Sequence, residues 1–340
     1  MASCFPETRA GRPAVRLLLL LALVLALSGG TGTQEPADPF VFTRSLAVEL
    51  DSPSAGIAAS QVDLRIEGRP QPILSVERIE SSPIVLFVDL PLLSPASARA
   101  SLTALAERAP ALVERGPVTV VLGGLVSETV VAATRDADEL RSALEALLDD
   151  LDDQRELGEV FSLRRSLLDD AQGETWETEA VTTISDEEGL LRWQWDALLQ
   201  ALDPSSRDGD GVLFWLQDGL DPDPLTALRR VREPSPSLEA RTSRDLSSVL
   251  RELGRSLAAE GWWVQTTRLA AAEQEELVPN AAEAAAVLSE PSGGGSIDDP
   301  AQLDRVLEAL DRRLRVSYRA TTIIDDPRPV DLRIDGTAPA

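Results

Sequence analysis

Apolar positions alternate with polar ones in the first readable part of the chain and take helical spacing in the next, and the change of period divides it. Between residues 40 and 79 the alternation is that of strands. Val41, Leu46, Val48 and Leu50 predict a strand over Phe40 to Leu50, ended by the break at Pro53 to Gly56. Val62, Leu64 and Ile66 alternate with Asp63, Arg65 and Glu67, and Gly68-Arg69-Pro70 turns the chain into another strand from Ile73 to Ile79. Together these make a small N-terminal β-element over 40–80.

After Ser81-Ser82-Pro83 the pattern becomes continuous apolar runs separated by amphipathic helices. Ile84 to Val88 reads as a strand covered on both faces. Ser94 and Pro95 then supply an N-cap and a first helical residue, with Leu102, Leu105, Leu112 and Val113 on one face of a helix ending near Gly116-Pro117. Val118 to Leu122 and Thr129 to Ala133 are the next strands. Asp136 and Glu139 resemble a capping pair for a helix with Leu140, Leu144, Leu147 and Leu151 in one stripe. Residues 152–188 lose periodicity, and Leu191, Trp195, Leu198 and Leu202 restore a helical face. Strands follow at Val212 to Leu216 and Trp262 to Thr267, around a helix capped by Ser243 that carries Leu246, Val249, Leu250, Leu253 and Leu257. A short helix over Ala281 to Leu288, a last one lined by Leu303, Val306, Leu307, Leu310 and Leu314, and closing strands at Val316 to Ile324 and Val330 to Ile334 complete the chain.

Strands alternating with helices predict an α/β fold: a doubly wound, mostly parallel central sheet flanked by helices, with ligands expected at the carboxyl ends of the strands where strand order reverses. No glycine fingerprint for a dinucleotide follows the first strand, since Asp89 leads into Leu90-Pro91-Leu92-Leu93.

Ahead of all this, Arg9, Arg12 and Arg16 precede an apolar run from Leu17 to Leu27 and the small residues Ser28, Gly29 and Gly30. The pattern is that of a secretory signal peptide over 1–28, followed by a flexible lead over 29–39. As a helix the run reaches roughly 17 Å, short of the ~30 Å hydrocarbon core, so no integral span is expected in the mature chain. Cys4 leaves with the signal. The expected address is secreted or periplasmic.

Composition removes most catalytic chemistry. The 340 residues contain no His, no Lys and one Cys, so His-dependent and Cys-dependent triads, Schiff bases, the P-loop lysine, multi-Cys zinc sites and an internal disulfide are excluded. Acidic residues number 57 against 32 basic, a net charge of -25 that repels nucleic acid and anionic lipid. The acidic runs at Asp149 to Asp153, Asp169-Asp170 and Asp186-Glu187-Glu188 read as solvated faces.

The acidic-ended first strand Ile84-Val85-Leu86-Phe87-Val88-Asp89 and the later Val212-Leu213-Phe214-Trp215-Leu216-Gln217-Asp218-Gly219-Leu220-Asp221 resemble a von Willebrand factor type A domain. The segment Leu64 to Ile73, the Ser292-Gly293-Gly294 turn, the helix from Gln302 to Leu314 and Tyr318 bring the likeness closer to the secreted bacterial proteins called VWFA-related, over roughly residues 40–335. The resemblance implies a type A-like domain over 81–324 with a C-terminal strand and tail over 325–340. It also implies a metal-ion-dependent adhesion site built from an Asp-x-Ser-x-Ser loop, a Thr and a later Asp, chemistry suited to Mg²⁺. Asp89 and Asp218 match the two Asp positions, whereas the Ser positions fall on Pro91 and Leu93, which have no ligating side chain. No Thr aligns, Thr182 and Thr183 included. Ser94 is explained by N-capping. Asp221 and Asp223, held in turns by Pro222 and Pro224, are the remaining oxygen donors.

The site is therefore expected to be degenerate. No cofactor is expected; Mg²⁺ or Ca²⁺ at a degraded site on Asp89, Asp218 and Asp221 is the alternative. Asp89 and Asp218 otherwise cap backbone amides at the sheet edge, and Asp89, Ser94, Asp218 and Asp223 form the expected binding rim. Trp195 and Trp215 are expected in the core, Trp262 and Trp263 on opposite faces of their strand, and Trp176 as an exposed contact residue. Asp208-Gly209-Asp210-Gly211 lacks the spacing and terminal Glu of a calcium loop and reads as a turn. The expected function is a secreted, non-enzymatic protein-binding module that is metal-independent. The alternatives are a carboxylate hydrolase such as a glycosidase, which needs two acids about 5–9.5 Å apart, or a purely structural envelope component.

Overall fold

A computed structural model describes residues 42–50, 57–124, 126–202, 211–242, 246–320 and 330–334. The signal peptide, the lead, the Pro53 to Gly56 break, the Asp208 to Asp210 turn, the Ser243 cap and the tail lie outside the described residues.

The central sheet has six strands. They are β5 (Ile84–Asp89), β6 (Val118–Gly123), β7 (Glu128–Thr134), β8 (Gly211–Leu216), β9 (Trp262–Thr267) and β10 (Ser296–Ile297), in the order β10-β9-β8-β5-β6-β7. All neighbours are parallel except β6 and β7, which run antiparallel. Strand order reverses between β5 and β8, where Val88 pairs with Leu216. The carboxyl ends of these two strands therefore form the switch point, and Asp89 and Asp218 sit on its rim.

Every residue of β5, β8 and β9 is buried; Ile84 to Val88 and Val212 to Leu216 read as unbroken apolar runs for that reason, whereas β9 ends in the buried polar residues Gln265, Thr266 and Thr267. The pleat sends alternate residues to opposite faces. Leu86, Val88, Phe214, Leu216 and Trp263 join one core layer, and Phe87, Val121, Trp215, Trp262 and Val264 the other. Helices α1 (Pro95–Glu107), α2 (Ala109–Arg115) and α3 (Ala137–Asp150) cover one face. The long helix α5 (Trp176–Ala201), after α4 (Glu159–Asp169), covers the other together with α8 (Leu246–Ala259) and α9 (Ala281–Ser289). Two short helices, α6 (Leu225–Arg229) and α7 (Pro236–Thr242), lie between β8 and α8, and α10 (Pro300–Leu310) follows β10. Two small antiparallel sheets flank the α/β layer. One has the order β1 (Phe42–Glu49), β11 (Arg313–Ala320), β4 (Ile73–Arg78), the other β12 (Val330–Ile334), β2 (Val62–Ile66), β3 (Arg69–Gln71). The N-terminal strands thus find their partners at the other end of the chain.

Four expectations change. The helix predicted to run from Pro95 to Gly116 is two, because Pro110 has no N–H to give the carbonyl four residues back and the ladder breaks at Arg108. Leu314 leaves the last helix and pairs with Arg78 as part of β11. The aperiodic stretch 152–188 contains α4 and the start of α5. In α5, the buried positions Trp176, Ala180, Ile184, Glu187, Leu191, Gln194 and Leu198 recur every three or four residues, and Glu187 and Gln194 hide the stripe from an apolar count. Trp176, expected as an exposed contact, is 0% exposed: its indole N–H donates to the Leu167 carbonyl at 3.1 Å and Arg232 stacks on its ring.

Candidate functional site

The carboxyl rim of the sheet is stitched by backbone. After β5 the chain makes a 3-10 turn over Leu90–Leu92 and enters α1 at Ser94. The Leu92 carbonyl accepts from the amides of Asp218, at 3.0 Å, and Gly219, at 2.8 Å, so the loops after β5 and β8 are fastened together. A Cβ at Gly219 would lie 2.9 Å from that carbonyl oxygen, and only glycine permits the approach. The Gly158 amide, whose residue has a left-handed φ of 72°, donates to Leu90 O at 2.9 Å and brings the start of α4 to the same rim.

Asp218 is fully buried. Its Oδ1 accepts from the Ser94 amide at 2.7 Å and its Oδ2 from the Ser94 hydroxyl at 2.6 Å. The same hydroxyl accepts from the Ser97 amide at 3.2 Å, so one residue caps α1 and holds the carboxylate. Burial pushes the Asp218 carboxyl up to about 6, while the Ser94 bonds and the charge of Arg268 pull it back in part. Asp89 is buried on the opposite face, where Oδ2 accepts from the Trp215 indole N–H at 2.9 Å and Oδ1 has no hydrogen-bond partner among the described residues. Burial pushes this carboxyl up to about 7, and the indole bond opposes it only partly.

Asp221 takes part in a buried ion network. Arg164 of α4 makes a two-pronged contact with Glu187 of α5, at 2.7 Å on each prong, and donates to Asp221 at 3.1 Å and to the Leu277 carbonyl at 2.8 Å. The other Asp221 oxygen accepts from the Asp223 amide and the Asn280 side chain, both at 3.0 Å. Burial alone would lower the Arg164 pKa, but Glu187 and Asp221 outweigh it and hold the guanidinium above its ordinary value. Glu187, expected on a solvated face, is therefore an interior residue. Asp223 is half-buried and accepts from Thr226 and Arg229. Ser94, Asp89 and Asp218 reach no solvent, so their part in the rim is to hold its loops.

Arg268, directly after β9, escaped the sequence reading, as did Arg164. It is 8% exposed, its Nη1 lies 3.7 Å from Asp298, and burial lowers its pKa. With Glu275, Val278 and Asp298 it lines a cavity of about 290 Å³. Its signal in the sequence was slight: an Arg ending a strand of the central sheet.

The donor set does not fit a divalent cation. Mg²⁺ asks for about six oxygens in a regular shell. Pro91 and Leu93 are buried and offer none, both Asp218 oxygens are held by Ser94, one Asp89 oxygen by Trp215, and Asp221 by Arg164, Asn280 and its own loop. Among the described residues no group of three or more acidic or Cys side chains is placed to share a metal ion.

No family model matches the chain, and no curated protein matches it. Among solved structures it is similar to the conserved hypothetical protein BatB of Bacteroides thetaiotaomicron, with TM-score 0.38, 8% identity, and 68% of this chain and 97% of that one covered. It is also similar to the vWF domain of the type V pili tip protein Mfa5 from Porphyromonas gingivalis, with TM-score 0.38, 10% identity and coverages of 68% and 94%. A third is the manganese-loaded TRAP protein of Plasmodium vivax, with TM-score 0.37, 10% identity and coverages of 72% and 80%. The strand order and the switch point at Asp89 decide the architecture. It is a doubly wound α/β fold, the class that the resemblance to a type A domain implies. At the switch point, where an open α/β sheet offers a ligand site, hydrogen bonds from Ser94 and Trp215 hold the rim.

Proposed function

We propose that the chain is an exported, non-catalytic protein-binding module that uses its type A-like scaffold without a metal ion. The observation that carries this reading is that both Asp218 oxygens, both Asp221 oxygens and one Asp89 oxygen are held by Ser94, Arg164, Asn280, the Asp223 amide and Trp215, which favours a fixed surface over a coordination shell. The export pattern at residues 9–30 supports an envelope or extracellular address. Among the described residues no helix is long and apolar enough to cross a membrane. The net charge of -25 points to a protein partner over nucleic acid.

Calorimetric titration of the protein with Mg²⁺, Mn²⁺ and Ca²⁺ is expected to give no stoichiometric heat. A tight one-to-one site abolished by Asp89→Ala would overturn the metal-independent reading. Crosslinking in the envelope fraction, with and without chelator, is expected to capture the same partner both times.

One observation favours a carboxylate hydrolase: two acids on one rim have pKa values raised to about 7 and about 6. Both are 0% exposed, which keeps a substrate atom out of reach. Glycan or peptide hydrolysis by the purified protein that disappears in Asp89→Asn would establish the enzyme instead.

A further inference from the structure

Helices α4 and α5 leave an open groove of about 300 Å³ between them, beside the end of α4 that reaches the rim. Its apolar lining is Leu163 and Leu190, half-buried, with Trp193 along one wall. Trp193 is 52% exposed, whereas Trp176, Trp215, Trp262 and Trp263 are all buried. Glu159 and Asp186 flank the groove, and neither carboxylate is in an ion pair or side-chain hydrogen bond with another described residue. Between Asp186 and Trp193 stands Gly189, in mid-helix, where glycine costs about 1 kcal/mol against alanine. No close packing explains it, since a Cβ there would meet nothing within 4 Å. The groove thus combines an exposed indole, an aliphatic floor and two carboxylates that no described residue pairs.

We propose that this groove is the contact surface for a partner protein and that its occupant is an arginine-bearing segment. A guanidinium stacks on an indole face and at the same time donates its planar fork to carboxylates, whereas a lysine ammonium offers no plane for stacking. An aliphatic residue beside that arginine covers Leu163 and Leu190. A second copy of the chain is the wrong occupant, since it brings a net charge of -25 to an acidic groove. The proposal rests on the protein-binding reading and is independent of the rim's metal status, which the calorimetric titration decides separately.

The test uses the full chain and two short synthetic peptides, one of arginine, leucine and serine, the other with glutamate in place of arginine, read by fluorescence anisotropy. The arginine peptide is expected to bind saturably and the glutamate peptide not at all. Trp193→Ala, and separately the pair Glu159→Gln with Asp186→Asn, are expected to weaken binding about tenfold. Trp193→Phe keeps an aromatic face and retains most of the affinity. The pair Asp149→Asn with Asp150→Asn, at the exposed end of α3, removes the same charge elsewhere and is expected to change it by less than about twofold. Absence of saturable binding to the native chain, full affinity in Trp193→Ala, or equal weakening by the two charge-removing pairs would overturn the proposal.

Discussion

Asp218 and Asp221 are both buried, three residues apart, and the molecule compensates them in different ways. Asp218 is held by an amide and a hydroxyl of Ser94, with the charge of Arg268 acting from a distance. Asp221 has a guanidinium in direct contact, shared with Glu187. Hydrogen bonds from neutral donors offset desolvation incompletely, so the Asp218 pKa stays raised and the rim responds to pH. A contacting countercharge makes Asp221 part of a tie between α4, α5 and the loop after β8, strong in place and costly to break. The rim is tuned by protons; the network next to it is set by geometry.

Removing Arg164 should show the largest difference between the two. Arg164→Met leaves Glu187 and Asp221 buried without a countercharge and is expected to cost about 3–5 kcal/mol, read as a lower urea midpoint. Adding Glu187→Leu should recover part of that loss, since Asp221 is then the one carboxylate of the network left without Arg164.

The proton dependence of the rim comes next. Asp89 and Asp218 have folded pKa values raised above the ordinary carboxylate value of 3.8, so the folded state binds more protons than the unfolded one between about pH 4 and 7. Their contribution to stability is fully present below pH 4, declines as pH rises through that window and is flat above it. Relative to Asp89→Asn, the native protein should lose about 4 kcal/mol across the window. A flat difference curve from denaturation at several pH values would remove Asp89 as the titrating group.

Ser94→Ala should cost less, about 1–2 kcal/mol, through the lost cap of α1 and the lost donor to Asp218. It should also raise the Asp218 pKa further and shift that residue's share of the pH dependence to higher pH. The smallest effect belongs to the groove: Trp193→Ala is expected to change stability by less than about 0.5 kcal/mol, which separates its loss of peptide binding from any loss of fold.

The layered fold was legible in the chain because strands buried on both faces show continuous apolar runs, as Ile84 to Val88 and Val212 to Leu216 do, and amphipathic helices must show one face. Asp89 and Asp218 were legible as strand-end acids for the same reason. Their partners were not. Ser94 and Asp218 are 124 residues apart and Asp89 and Trp215 are 126 apart, separations at which no local pattern operates. The stretch 152–188 failed for another reason: Glu187 is polar at a buried helix position, and only Arg164, across the α4–α5 contact, makes that position stable. Trp176 sits among acidic and small residues in the chain yet ends beneath Arg232, whereas Trp193, one helical stretch further on, faces out.

Side-chain chemistry and periodicity, both local properties, were settled by the sequence itself: a helix-flanked parallel sheet, no lysine or histidine chemistry, acids at two strand ends, and no hydroxyl where Pro91 and Leu93 stand. Which acid carries a proton, which is paired with arginine and which tryptophan meets solvent were decided by tertiary structure alone. These depend on desolvation and on contacts between residues far apart in the chain, and neither exists until the layers close.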